Sequence, residues 1–258
     1  MSRGGVLFVH GAFCGGWVFE AFAAPFRQAG VATRAPDLPG HAETDAADAV
    51  AGLSMRGYAE AVAADARTFD EPPVLIGHSM GGLVALMAAA RAPTAGVVLL
   101  APSPPWGVSG STMEEAVSAL SLYALGPFWT QSVAPEYASF GRFAVDRLPR
   151  ARRRALFERL RPESGLALFE TLNWWLDPWM TTSVRAGAIR APILALAGER
   201  DVVHPPATVG QTALRLGGKL EILPQMSHWL PAEPGWRDVA KRCLAFIEST
   251  AALRVAAE

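Results

Sequence analysis

Gly77-His78-Ser79-Met80-Gly81-Gly82 is the stretch on which the reading of this chain turns. It follows a short apolar run, Val74-Leu75-Ile76, and precedes a strong helix former, Leu83-Val84-Ala85-Leu86-Met87-Ala88-Ala89-Ala90. A strand that bends sharply into a helix around a central serine, G-x-S-x-G, holds the serine hydroxyl at the tip of a sheet. The bend forces the serine backbone into a strained conformation, and any Cβ at the flanking glycines would collide with neighbouring backbone. The free N–H groups opening the helix favour negative charge beside that hydroxyl. Ser79 is therefore the candidate nucleophile.

Outward from this turn, short apolar runs alternate with helix-like segments, the βαβ signature of a mostly parallel sheet. Strands are expected at Val6–Val9, Val31–Arg34, Val74–Ile76, Val97–Leu100, Ile193–Ala197 and Leu220–Leu223. Several are unbroken apolar runs, as suits strands covered on both faces. Helices are expected near 16–29, 57–69, 80–91, 206–216 and 235–250, the last with an apolar stripe of Trp236, Val239, Cys243, Phe246 and Ile247. The fold class is α/β, a six-stranded sheet flanked by helices.

The alternation breaks at residues 103–188, so the expected division is a core of 1–102 and 189–258 with a helical lid inserted after the fourth strand. Within it, Ser111 to Glu114 resembles a capping box opening a helix through Leu125. A second helix should run to about Arg161, and a third from Glu163 to Leu176. The insertion holds five of the eight tryptophans, Trp106, Trp129, Trp174, Trp175 and Trp179. Together with Phe13 and Trp229 these are expected to line an apolar pocket.

Composition narrows the function. Hydrophobic residues make up 51% of 258 residues, enough for a large core. A net charge of -1 gives no electrostatic footprint for nucleic acid. The arginines at 147, 150, 152, 153 and 154 read as a solvated helix face. Cys14 and Cys243 form neither a zinc pattern nor a disulfide framework. No apolar stretch approaches the ~20 residues of a membrane span, and the first strand starts too early for a signal peptide. A soluble, cytoplasmic protein is expected.

A serine needs an adjacent base, usually a histidine oriented by a carboxylate, in the chain order Ser, Asp/Glu, His for this topology. Of five histidines, His10 and His78 belong to strand-end turns, and His41 precedes the serine. His204 follows the candidate acid too closely to bridge to the serine. His228 remains, in the loop after the last strand. The acid expected is Asp201, in Gly198-Glu199-Arg200-Asp201 at the C-terminal edge of the fifth strand, with Glu199 as a rival. The oxyanion formed by attack needs two N–H donors, Met80 at the helix start and Ala12 in His10-Gly11-Ala12-Phe13, with Phe13 the near alternative. No metal or organic cofactor is called for.

These motifs, with Gly15-Gly16-Trp17 and Asp37-Leu38-Pro39-Gly40-His41, together resemble the α/β-hydrolase superfamily over nearly the whole chain outside the insertion. The opening H-G-A-x-x-G-G-W is similar to the branch containing plant methyl esterases and hydroxynitrile lyases. The lyases carry threonine and lysine where this chain has Gly11 and Trp229, which disfavours cyanide chemistry. The resemblance implies that Ala12 and Met80 supply the oxyanion hole.

The expected activity is hydrolysis of small-molecule carboxylic esters with mainly apolar or aromatic groups, through an acyl-enzyme. The alternatives are a carbon–carbon bond hydrolase, a thioesterase or acyltransferase using the same residues, and a ligand receptor without turnover.

Overall fold

In the computed structural model of the chain, the described residues are 4–110, 113, 120 and 122–255, with side chains described to residue 251. Six strands form one sheet: β1 (Gly5–Val9), β2 (Ala32–Arg34), β3 (Val74–His78), β4 (Gly96–Leu100), β7 (Ile193–Gly198) and β8 (Lys219–Leu223). Their order is β2-β1-β3-β4-β7-β8, and every pairing is parallel. All six coincide with the expected runs to within a residue or two.

The strands β1, β3, β4 and β7 are buried along their whole length, which explains their lack of polar alternation. Residue parity separates two cores. Leu7, Val9, Leu75, Val97, Leu99 and Ala195 face one side, against α2 (Met55–Ala66), α3 (Met80–Ala89) and α6 (Pro206–Leu216). Val6, Phe8, Ile76, Val98, Leu100 and Leu196 face the other, against α1 (Ala24–Gln28) and α7 (Trp236–Val255). Each large side chain so buried contributes roughly 1.5–3 kcal/mol. The helix α3 is buried on every side, which is why its sequence is apolar all round. Among the described residues no helix is long and apolar enough to cross a membrane.

Sheet order reverses between β1 and β3, so the loop after β1 and the turn after β3 emerge side by side at the carboxyl edge. A Cβ on Gly11 would stand 3.0 Å from Cβ of Ser79. The two segments are therefore in direct contact.

Between β4 and β7, residues 103–188 depart from the expected all-helical insertion. Most of the helix expected from Ser111 lies outside the described residues, and its end, Leu122–Leu125, is a 3₁₀ turn. Among the described residues the α-helices of eight residues here are α4 (Arg150–Phe157) and α5 (Gly165–Leu172), with a short helical stretch at Tyr137–Ala144. The third was expected to start at Glu163, but Glu163–Ser164 is strand β6, paired antiparallel with β5 (Ser132–Val133). The local reason is capping. Ser164 adopts an extended backbone and its Oγ accepts from the N–H of Ala167, so the helix starts at Gly165. Gly165 in turn packs where a Cβ would run into the carbonyl of Phe128.

The bend after β3 depends on contacts of the same kind. Side chains at Gly77 and Gly81 would overlap the carbonyls of Gly81 and of Val9 and His10. Gly81→Ala should destabilise the fold by about 1–3 kcal/mol or more, measurable as a lower urea midpoint at unchanged slope.

Candidate active site

Ser79 stands at the top of β3 with φ 54° and ψ −127°, a strained conformation costing about 1–3 kcal/mol. Three backbone bonds around it hold it there. Its N–H donates to the carbonyl of Leu100 (3.0 Å), while its carbonyl accepts from Gly82 (2.8 Å) and Ser103 (3.0 Å). The hydroxyl is left half-buried, facing a cavity.

The loop after β8 brings His228 to it. Ser79 Oγ donates to His228 Nε2 at 3.1 Å, and His228 Nδ1 donates to Asp201 Oδ2 at 2.9 Å. A carboxylate accepts only, so it fixes the proton on Nδ1 and leaves Nε2 as acceptor. Asp201, after β7, also accepts the N–H groups of Val203 (2.8 Å) and His204 (2.9 Å) on Oδ1. Burial alone would raise its pKa, but the charge and hydrogen bond of His228 outweigh this and hold it below the usual carboxylate range. The rival Glu199 points elsewhere and accepts from the N–H of Gln225 at 2.9 Å.

The remaining histidines are buried and have other partners. His78 Nε2 donates to the carbonyl of His228 at 2.9 Å, buttressing that loop from below. Burial and the neighbouring His228 lower its pKa to about 3. Ser103 Oγ and His204 Nε2 lie 2.9 Å apart. His10 Nδ1 donates to the Gly11 carbonyl (3.0 Å) and its Nε2 accepts from Leu38 N–H (2.8 Å). His41 Nε2 meets Glu163 Oε2 at 3.1 Å.

Residues 11–14 form a turn, closed by the N–H of Cys14 on the carbonyl of Gly11 at 3.3 Å, with Phe13 at φ 65°. The N–H of Phe13 donates to Glu163 Oε2 at 3.2 Å. Those of Ala12 and Met80 have no partner among the described residues. Of the two donors left open for the β1 loop, Phe13 is occupied and Ala12 is not.

The cavity over Ser79 measures about 300 Å³. Its walls are aliphatic and phenyl groups from the insertion, among them Leu122, Val133, Phe140, Phe143, Leu160 and Leu168, with Phe13 and Trp229 on the core side. The expectation for the insertion's tryptophans is overturned, since none of Trp106, Trp129, Trp174, Trp175 or Trp179 lines it. Trp106 packs on Trp174 (5.3 Å between rings) and Trp129 on Phe128 and Phe169, while Trp175 and Trp179 are exposed. Trp106, Trp129 and Trp174 pack on other rings of the insertion, leaving slimmer side chains to face the cavity. Cys14 also borders it, but burial pushes its thiol pKa up, which keeps it protonated and unreactive.

A serine, a histidine and an aspartate in one hydrogen-bonded series thus meet beside an apolar cavity at the switch point of a parallel sheet. The profile of the alpha/beta hydrolase family matches residues 6–242, and the chain belongs to that family. It is 30% identical over 231 residues to a pimeloyl-[acyl-carrier protein] methyl ester esterase of Aromatoleum aromaticum, covering 84% of this chain and 87% of that one. Among solved structures it resembles a monoacylglycerol lipase of Paleococcus ferrophilus, with a TM-score of 0.72, 21% identity and coverage of 96% and 95%. It also resembles a methylesterase from Arabidopsis, with a TM-score of 0.72, 16% identity and coverage of 95% and 99%. The latter belongs to the branch indicated by the opening glycine-rich motif. Family and relative together support hydrolase activity.

Sequence reading had no signal for Glu233. Its carboxylate accepts the N–H of Ser227 at 2.9 and 3.1 Å and so anchors the loop carrying His228. Burial, with Asp146 adding to it, raises its pKa to about 7. A carboxyl whose folded pKa lies above its unfolded 4.5 stabilises the fold fully below that value and loses this as pH rises through about 7. Glu233→Gln keeps an acceptor and removes the titration. Its melting temperature should exceed that of the parent at pH about 8 and converge with it below pH about 5.

Proposed function

We propose that the chain is a serine hydrolase of carboxylic esters whose acyl or aryl part is mainly apolar. The observation that carries this reading is the hydrogen-bonded series Ser79–His228–Asp201 ending in an apolar cavity. In the proposed sequence, Ser79 Oγ attacks the acyl carbon while His228 Nε2 takes its proton. Asp201 keeps the imidazole in the required tautomer and stabilises the imidazolium. The N–H groups of Ala12 and Met80 receive the oxyanion, the second at the N-terminus of α3. Collapse of the tetrahedral species expels the alcohol, which takes the proton from His228. A water, deprotonated by the same imidazole, then releases the acid and restores Ser79.

The cavity's lining bears on the substrate. Its charged member is Glu136, and no arginine or lysine lies among the described lining residues. An acidic diketone therefore meets no cation there, which disfavours carbon–carbon bond hydrolysis. The methyl ester esterase relative supports a small leaving alcohol on a longer acyl chain. The segment 103–188 is read as the lid that supplies the acyl-binding wall, on a core of 1–102 and 189–258.

Two measurements test this reading. Ser79→Ala should remain folded with residual turnover only, on the order of 10³–10⁴ over water at best; normal turnover would end the assignment. On p-nitrophenyl esters from acetate to octanoate, kcat/KM should climb with acyl length, by at most about fourfold per methylene. Preference for charged, short-chain esters would exclude the apolar assignment, and failure of a phosphonate to label the folded protein would favour a receptor.

A further inference from the structure

Besides that of Ser79, the side-chain hydroxyls bordering the cavity among the described residues are those of Ser103, Ser139 and Thr171. Thr171 Oγ1 is spent on its own helix, donating to the Ala167 carbonyl at 2.8 Å, and Ser139 is exposed. Ser103 is different. It lies just past β4, is only 3% exposed, and its Oγ stands 2.9 Å from Nε2 of His204, itself buried in the loop after β7. Both side chains border the cavity. The pair is also next to the reacting groups. The Ser103 N–H donates to the Ser79 carbonyl at 3.0 Å, and the His204 ring packs edge-on against that of His228, with 5.2 Å between centroids.

In a cavity walled mainly by aliphatic and phenyl groups, two buried polar side chains carry a desolvation cost that one mutual bond offsets only in part. The bond leaves capacity on the hydroxyl. A serine Oγ has one proton and two lone pairs, whereas Nε2 offers either a proton or a lone pair. If Oγ donates to Nε2, both of its lone pairs remain. If it accepts from Nε2–H, one lone pair and its own proton remain. A lone pair of Ser103 is therefore open under either tautomer, and among the described residues no other group bonds to this oxygen. A substrate hydroxyl can donate to it in both cases, whereas a carbonyl oxygen is served only in the second. A carboxylate fits worse, because no lysine or arginine lies among the described lining residues to balance it.

We infer that Ser103 and His204 form a hydroxyl-binding subsite beside the nucleophile, so that the ester this chain favours is apolar but carries one neutral hydroxyl close to the scissile bond. The inference rests on the ester-hydrolase reading and narrows its substrate class. The hydroxyl belongs either to the acyl part or to the alcohol part, and its recognition by Ser103 is the same chemistry in both.

Two pairs of near-isosteric esters test the subsite and separate the two sources. Methyl β-hydroxybutyrate against methyl isovalerate puts the hydroxyl on the acyl side, and hydroxyethyl butyrate against propyl butyrate puts it on the alcohol side. The quantity read is kcat/KM for the hydroxylated ester divided by kcat/KM for its methyl counterpart. In Ser103→Ala this ratio should fall about 5- to 10-fold below that of the parent in at least one arm, which assigns the side. Ser103→Ala combined with His204→Leu, which makes both partners apolar, should lower the same ratio at least as far. A ratio within about twofold of the parent's in both arms would overturn the inference. A pair that merely ties the two loops together would slow both esters of a pair alike and leave the ratio unmoved. If Ser103→Ala does not fold, Ser103→Cys, similar in size and weaker in hydrogen bonding, takes its place with the same outcomes. A parent that a phosphonate labels on Ser79, with ratios insensitive to these variants, loses the subsite alone. A folded parent that is not labelled loses the hydrolase reading itself.

Discussion

Ser79 sits where a strand has no room to turn gently. The carbonyls of Val9 and His10 press on Gly81, and that of Gly81 presses on Gly77, at distances no side chain could occupy. With β1 and α3 this close, the peptide of Ser79 is forced to φ 54°. The strain is held by the sheet beneath it, since β3 and β4 are buried throughout and their cores cannot relax without losing contacts on both faces. In return the hydroxyl projects beyond the sheet, and Met80 N–H beside it has no partner among the described residues. Removing either glycine would disturb the position of the Ser79 hydroxyl and the stability of the central sheet together.

Around that fixed point the other groups are held by rather different means. Asp201 is fixed by backbone donors within its own loop, His228 by the His78 ring, which donates to the His228 carbonyl, and by the Glu233–Ser227 bonds. The β1 loop is held from outside the core altogether, by Arg161 and Glu163. Geometry demanding a few tenths of an ångström is thus distributed over segments from across the chain. This is the usual requirement for preorganised donors, which act without reorganising during the reaction.

What the sequence discloses follows from whether a signal is local. Each core strand announces itself because burial on both faces demands an unbroken apolar run, as in Val74-Leu75-Ile76. The turn at Ser79 is equally legible, since steric exclusion at Gly77 and Gly81 leaves a fixed pattern. His228 and Asp201 are expected from chain order and strand-end position, both consequences of the parallel topology, and their side chains lie 2.9 Å apart. The insertion resisted such reading. Tryptophan richness suggested a pocket lining, but an indole that stabilises a turn and one that faces a ligand look alike in one dimension. The strand at Glu163–Ser164 is two residues long, too short for any periodicity to mark. Glu163 itself is one acid among many until folding places it 3.2 Å from a peptide 150 positions away.

That last contact gives the insertion an anchor on the β1 loop. Strip 161–165 carries the Phe13 grip at one end and, at the other, the glycine seated on Phe128. Chimaeras that exchange residues 103–188 between relatives must therefore keep this strip with the parent scaffold, or transplant it along with the segments carrying His41 and Tyr58. Diversification of the remaining wall is free to proceed around it.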